Sequence, residues 1–165
     1  MRAVLVTLLW LALLQSTQGA ACPAASFPSQ DGTKCFVYVP MSMSFNIAEI
    51  FCSSFGGHLA SVDSLHDNEI IRVAVYLSFD NSVTNYWIGA TRKEASSWSW
   101  TDSNRWDYVN WGDSAAIMQG DCGAVLKDTG KWLPRNNEEQ FPFVCEHFLA
   151  PDRPTSQAPP LSPPL

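Results

Sequence analysis

Tyr86-Trp87-Ile88-Gly89-Ala90 marks the point at which the chain changes period. Before it, apolar residues recur at the three- and four-residue intervals of helix faces. Phe45, Ala48, Cys52 and Phe55 form one such stripe, closed by Gly56-Gly57, and it puts one sulfur on the buried side of a first helix. Ser64 reads as the N-cap of a second helix, with Asp67 in its first turn and Ile70, Val73, Ala74 and Leu77 as its inner face. From Tyr86 onward the pattern becomes short strands: Trp98-Ser99-Trp100-Thr101, Cys122 to Leu126, and Phe141 to Cys145. Upstream of both helices, Cys35-Phe36-Val37-Tyr38-Val39 reads as a strand that follows the turn signal Gln30-Asp31-Gly32 and ends at Pro40, with Cys22 and Cys35 flanking a hairpin. Two helices ahead of a run of strands predict an α+β domain, the helices packed on short antiparallel sheets. The segment from Trp100 to Cys122 has no clear period, and an irregular stretch that long in a compact domain is usually functional.

Composition narrows the function classes. The 165 residues are 46% hydrophobic and 16% charged, which fits one globular domain rather than two cores and a linker. Ten Lys and Arg against sixteen Asp and Glu give a formal charge of -6, and the longest basic run is Arg92-Lys93, so phosphate neutralisation of a nucleic acid is disfavoured. Met1-Arg2 followed by the apolar run Ala3 to Leu14 and small residues up to Ala21 reads as a secretory signal peptide over residues 1–21. That run is shorter than the roughly 20 residues of a membrane span, and no membrane anchor is expected elsewhere. Residues 149–165 hold six of the eleven prolines and read as an extended, solvated tail, with Thr155, Ser156 and Ser162 available to O-linked sugars. There is no Asn-x-Ser/Thr sequon. The protein is therefore expected to be secreted and extracellular, in a compartment where cysteines oxidise. Five cysteines leave one sulfur over.

Over residues 22–148 these fragments, taken in order, resemble the C-type lectin-like domains in their long form. The resemblance is carried by Cys22-Pro23 and Cys35-Phe36, the helix with Phe45, Ala48 and Cys52, Gly56-Gly57-His58-Leu59-Ala60-Ser61-Val62, Asn68-Glu69, Tyr86-Trp87-Ile88-Gly89, Trp98-Ser99-Trp100-Thr101-Asp102, Asn110-Trp111, Lys131-Trp132 and Phe141-Pro142-Phe143-Val144-Cys145-Glu146. It implies a double-looped domain whose first and last strands pair and whose Trp100 to Cys122 segment is the ligand-binding loop. It also implies the pairs Cys22 with Cys35 and Cys52 with Cys145, constraints of about 3 and about 4.6 kcal/mol on the unfolded chain in the loop-entropy model. Cys122 then lacks the partner that the family pattern puts near Arg135-Asn136-Asn137-Glu138-Glu139. It is read first as a buried thiol, and alternatively as the bridge of a disulfide-linked dimer.

Calcium-dependent sugar binding in that family draws oxygen ligands from a Glu-Pro-Asn or Gln-Pro-Asp triplet, an acid before the third core cysteine and a Trp-Asn-Asp triplet. Here Gly112-Asp113-Ser114-Ala115-Ala116 follows Asn110-Trp111, Gly120 stands at the acid position, and Trp132-Leu133-Pro134 replaces the last triplet. No metal and no cofactor are therefore expected, and the scattered Asp102, Asp107, Asp113, Asp121 and Asp128 read as solvated loop acids. Catalysis is not expected either. His58, His66 and His147 match no metalloprotease spacing, Glu138-Glu139 reads as a solvated pair, and there is no Gly-x-Ser-x-Gly turn, Cys-x-x-Cys pair or phosphate-cradling glycine loop.

A binding module remains. Trp98, Trp100 and Trp111 match core positions of the family, so the candidate ligand-binding residues are Asn104, Arg105, Trp106, Asp107, Tyr108 and Asp113. Rigid rings flanked by an Arg can stack on a sugar or anchor a protein contact, and Trp106 can equally be a plug for its own loop. The expected partner is a protein or a glycan, bound without calcium; the alternative is a carbohydrate-binding lectin, calcium-dependent or with a nonstandard sugar site.

Overall fold

The computed structural model describes residues 22–92, 97–113 and 119–149. The leader reading and the tail reading from residue 150 on lie outside these residues; Leu149, the first residue of the tail reading, donates its N–H to Thr33 O at 2.9 Å. A hairpin opens the domain: β1 (Ser26–Pro28) pairs antiparallel with β2 (Lys34–Met43). Asp31 holds the turn. Its Oδ1 accepts from Ser29 Oγ, Thr33 N and Thr33 Oγ1, while Gly32 takes a positive φ of 69°. The strand does not stop at Pro40 but continues to Met43, because a register shift between Val39 and Met43 opens the ladder where the proline has no N–H to give.

Helix α1 (Phe45–Ser54) buries Phe45, Ala48 and Cys52 as its spacing predicts. Phe55 is the exception to the predicted stripe: it is the C-cap, is 70% exposed, and lies against Phe51 at 5.2 Å between ring centroids. Gly56 then turns the chain with φ 77° into β3 (His58–Leu59), which pairs with the last strand.

Helix α2 (Leu65–Ser78) is capped as expected, Ser64 Oγ accepting from Asp67 N at 3.0 Å. Its buried face differs from the predicted one. Asp67, Asn68, Ile71, Ala74 and Val75 are buried, whereas Val73 is 48% and Leu77 78% exposed. Two polar residues turn the helix. Asp67 accepts from Gln30 N of the first hairpin at 2.7 Å, and Asn68 Oδ1 accepts from the buried Trp132 Nε1 at 2.8 Å. Buried polar groups that find partners outweigh the exposure of Val73 and Leu77.

The remaining strands are β4 (Asn85–Thr91), β5 (Ser99–Trp100), β6 (Cys122–Leu126), β7 (Trp132–Arg135) and β8 (Phe141–Phe148). They form one mixed eight-stranded sheet, in the order β1-β2-β8-β4-β6-β7 with β3 on β8 and β5 on β4. This corrects the expectation of antiparallel sheets at one junction. β4 and β8 run parallel, meeting at Trp87 and Phe143, because the chain between them returns through β5, β6 and β7 before β8 enters beside β2. The strand pattern of the sequence does not foresee β7; its Pro134 is tolerated because β7 is an edge strand. The first and last long strands pair over Lys34 to Val39 against Phe148 to Phe143, as the resemblance implies.

Two apolar clusters flank the sheet. One gathers Phe36, Val62, Ile71, Val75, Tyr86, Ile88, Trp100 and Trp132 beneath α2, and the other Val39, Phe45, Leu59, Trp87 and Phe143 beneath α1. The disulfides Cys22–Cys35 and Cys52–Cys145 have Cα separations of 5.6 and 5.5 Å, the second joining α1 to β8. The observed helix phase is testable by urea unfolding: Ile71→Ala should cost about 3 kcal/mol and Leu77→Ala no more than about 0.5 kcal/mol. The reverse ranking would restore the predicted face.

Candidate functional site

Trp132 organises the loop that follows β5. Its indole is fully buried and donates to Asn68, whose Nδ2 reaches Gly130 O at 3.3 Å; Asn110 Nδ2 donates to the same carbonyl at 2.8 Å. Backbone bonds from Trp132 N to Asn110 O and from Gly112 N to Trp132 O bind residues 110–112 alongside β7. Onto this frame the loop lays its own rings. Trp106 lies 4.4 Å from Trp100 and 6.0 Å from Trp132, Tyr108 lies 5.6 Å from Trp132, and Trp111 lies 4.5 Å from Trp98.

Of the six candidate ligand residues, two therefore point partly inward and four point outward. Trp106 and Tyr108 are half-buried against the core. Burial raises the Tyr108 phenol above its usual range, with a smaller contribution from Glu69. Asn104, Arg105, Asp107 and Asp113 are exposed. Arg105 pairs with Asp107 at 3.1 Å, and Asp113 makes no ion pair among the described residues. Sequence reasoning does not assign four neighbours to this surface. Trp98 and Trp111, which match core positions of the family, are only half-buried; the Arg92 guanidinium covers Trp98 at 5.1 Å; and Val109 is 50% exposed. The alternation of polar residue and ring from Arg105 to Tyr108, continued by one position, is the signal that could have marked Val109 as outward-facing.

The base of the loop is tied to a buried polar cluster. Lys34, 1% exposed, sends Nζ to Ser61 O at 2.9 Å, Ser61 Oγ at 2.7 Å and Asp63 Oδ2 at 2.7 Å, and lies 3.1 Å from Glu146 Oε2. Glu146, fully buried, accepts on Oε2 from Ser61 N and Ser61 Oγ, both at 2.9 Å. Ser61 Oγ also lies 2.9 Å from Asp102 Oδ2 and 3.4 Å from Asn104 Nδ2, both in the loop. Asp102 Oδ1 accepts from Asn104 N across a turn in which Ser103 has φ 64°. Burial, then Asp102, push the Glu146 carboxyl up to about 8, and the Lys34 ammonium only partly offsets them. Burial resists ionisation of Asp102 too, but hydrogen bonds with Glu146, Asn104 N and Ser61 outweigh it and hold that carboxyl low. For Lys34, burial is outweighed by Glu146 and Asp63, so the ammonium is held above its usual range.

At the three positions singled out in the sequence for calcium ligation, the structure shows the following. Leu133 and Pro134 are buried in β7 and offer no side-chain oxygen. Gly120 has φ 147°, and a Cβ there would overlap the Arg135 backbone, so this conformation has no room for an acid. Asp121 faces solvent and pairs with Arg92 at 3.3 Å. Among the described residues no three His, Cys, Asp or Glu side chains converge as a metal site. His58 Nδ1 meets Glu49 Oε1 at 2.6 Å, and Glu49 Oε2 accepts from Leu59 N, fastening β3 to α1. Glu139 accepts from Asn136 N at 2.9 Å within its own turn.

This topology, the two disulfides and the ring-packed loop are joined by a family match: residues 41–147 fit the model of the lectin C-type domain. The chain belongs to the C-type lectin domain family. It is 31% identical over 139 residues to the pancreatic beta cell growth factor of Mesocricetus auratus, covering 76% of each chain. Among solved structures, human lithostathine superposes with a TM-score of 0.71 at 24% identity, covering 77% of this chain and 99% of its own. A calcium-independent type II antifreeze protein superposes with a TM-score of 0.68 at 27% identity, covering 81% and 99%.

Within this C-type lectin domain Cys122 is unbonded and 4% exposed, and burial together with Asp121 pushes its thiol up to about 12. A neutral, occluded thiol is a poor nucleophile. Iodoacetamide should therefore label the native domain slowly at pH 8 and modify one cysteine promptly once it is unfolded without reductant; mass analysis showing no free thiol would refute this. The carboxyl cluster makes a second prediction. Glu146 keeps its proton in the folded domain through the interval from its ordinary 4.5 to about 8, where the unfolded chain releases it. That contribution to stability is full below the lower value and is lost as pH rises to the upper one. Urea unfolding free energies should fall over this window, and Glu146→Gln should flatten the fall; a wild-type profile that rises across the window would contradict it.

Proposed function

We propose that this C-type lectin domain is the recognition module of a secreted, non-enzymatic protein, and that it binds a protein or glycan ligand through the surface of its long loop without calcium. The observation that carries the reading is the anchoring of Trp106 and Tyr108 on Trp132. It fixes the stretch around Trp106 and Tyr108 on the core and goes with Asn104, Arg105, Asp107 and Val109 facing outward together. A surface ordered before it binds loses little entropy on binding, and an exposed Arg beside apolar area suits either partner class.

The buried Leu133 and Pro134 and the crowded Gly120 favour calcium independence, and the fold is shared with an antifreeze protein described as calcium-independent. Secretion is supported by the residue 1–21 leader reading and by two disulfides. For Cys122, burial favours the free thiol over the disulfide-linked dimer. The half-buried Trp98 under Arg92 favours, as the second reading, a sugar site built from rings rather than from a metal.

A glycan array and a panel of secreted proteins, each probed with and without chelator, test the proposal. Binding should survive chelator, and Arg105→Ala should weaken it by roughly tenfold or more if Arg105 anchors the contact. Stoichiometric calcium binding by calorimetry coupled to monosaccharide recognition would overturn calcium independence, and capture unchanged by Arg105→Ala and Trp106→Ala would remove the loop from the interface.

A further inference from the structure

The polar cluster beneath the loop has one hydrogen too few for its acceptors. The three protons of the Lys34 ammonium are taken by Ser61 O, Ser61 Oγ and Asp63 Oδ2. Ser61 Oγ already faces two donors, Lys34 Nζ and Asn104 Nδ2, and has a single proton of its own. Two carboxylate oxygens compete for that proton at the same 2.9 Å: Glu146 Oε2 from β8 and Asp102 Oδ2 from the loop. Glu146 Oε1 is buried with no partner among the described residues. If both carboxyls are ionised, the Ser61 hydroxyl can satisfy only one of them; Glu146 Oε2 keeps Ser61 N–H at 2.9 Å and the Lys34 ammonium at 3.1 Å, but Oε1 stays unpaired and the two negative groups repel each other in a buried site. A proton added to Glu146 removes the conflict. The Glu146 hydroxyl can then donate to the Asp102 carboxylate, the side-chain hydrogen bond that raises Glu146 and lowers Asp102, and leave the Ser61 proton free to do the same, so that two bonds hold the loop base.

We propose that Ser61, Glu146 and Asp102 form a proton-operated latch that fastens the base of the long loop to the core when Glu146 is protonated and loosens it when Glu146 ionises. The other charged groups facing the latch are Lys34 from β2, which pairs with Asp63 of the segment before α2 at 2.7 Å, donates to Ser61 Oγ and lies 3.1 Å from Glu146 Oε2, so its charge favours the ionised form of both carboxyls. The rise of the Glu146 carboxyl to about 8 places the change in the mildly alkaline range. Because the residues above the latch are Asn104 to Tyr108, a ligand held there would be gripped more firmly in the acidic half of that range; this consequence alone rests on the proposed function.

Hydrogen–deuterium exchange of the whole protein, followed by mass spectrometry at pH 6 and pH 9 and corrected for intrinsic chemistry, tests the latch. Exchange in peptides covering residues 101–113 should rise several-fold at pH 9 relative to the core strand Lys34 to Val39. In Glu146→Gln, whose neutral amide still donates to Asp102, it should stay low at both pH values. Ser61→Ala, which removes one of the two bonds, should raise exchange in the loop at pH 6 above the wild-type level. Asp102→Asn, at a partly exposed loop position, supplies the same test should the Glu146 variant fail to fold: its loop should no longer respond to pH. A wild-type loop that exchanges equally at both pH values, or an Asp102→Asn or folded Glu146→Gln loop that still responds, would overturn the proposal. A loop that titrates as described in a protein whose ligand capture ignores Arg105→Ala would leave the latch standing and remove only its role in binding.

Discussion

The domain is built around an ammonium that never reaches water. Lys34 sits 1% exposed at the start of the long first strand, and three segments far apart in sequence converge on it: Ser61 and Asp63 before α2, Glu146 on the last strand, and, through Ser61, Asp102 and Asn104 of the loop. A buried ion pair is weak evidence for net stability, because the attraction must first offset the desolvation of both charges. Its stronger effect is on alternatives. Any slip of β2 against β8 would separate the Lys34 ammonium from the Glu146 carboxyl and leave that buried carboxyl without the ammonium 3.1 Å away, so the observed register is the one that keeps the cluster together.

Trp132 has the same function on the other side of the loop. In sugar-binding members of the family the residues after this tryptophan supply metal ligands; here the following Leu133 and Pro134 turn into the sheet and the strand becomes an apolar edge. The described part of the loop is held against the core by rings. Trp98, Trp100, Trp106, Tyr108 and Trp111 each come within 6.4 Å of a neighbouring ring in this cluster, mostly in tilted or edge-on contacts. Such contacts are weak singly, yet together they pack the inner side of residues 104–111 against the core and leave Asn104, Arg105, Asp107 and Val109 exposed.

How much of this is legible in the sequence follows from the range of each signal. The hairpin turn at Asp31-Gly32, the Ser64 cap and the spacing of Phe45, Ala48 and Cys52 are settled by residues within a few positions of one another, and all are seen. The face of α2 escapes the pattern because its orientation depends on Gln30 and Trp132, which reach Asp67 and Asn68 across the fold. A pattern that scores only apolar residues assigns Val73 and Leu77 inward, since it cannot know that an Asp and an Asn have buried partners waiting. The parallel meeting of β4 and β8 and the edge strand with Pro134 are hidden for the same reason: both are decided by which strands become neighbours. In the loop, six candidates stand out for their chemistry, and only the fold divides them into two rings that anchor and four side chains that face outward.

The Lys34 cluster and the tryptophan cluster meet at the start of the loop, and that junction explains why this stretch can be irregular without being loose. Trp100 is buried and ends β5; two residues later Asp102 is bound to Ser61, and four residues after that Trp106 is back against Trp100. The chain is thus fixed at alternating polar and aromatic points, with Ser103 accepting a left-handed φ of 64° so that Asp102 and Asn104 can both reach the same hydroxyl. A non-glycine residue in that region costs free energy, which the surrounding bonds must offset. It follows that the polar bonds at Ser61 set where the loop leaves the core, while the rings set how its far side lies; weakening Ser61 would change the loop's exit without unpacking Trp132.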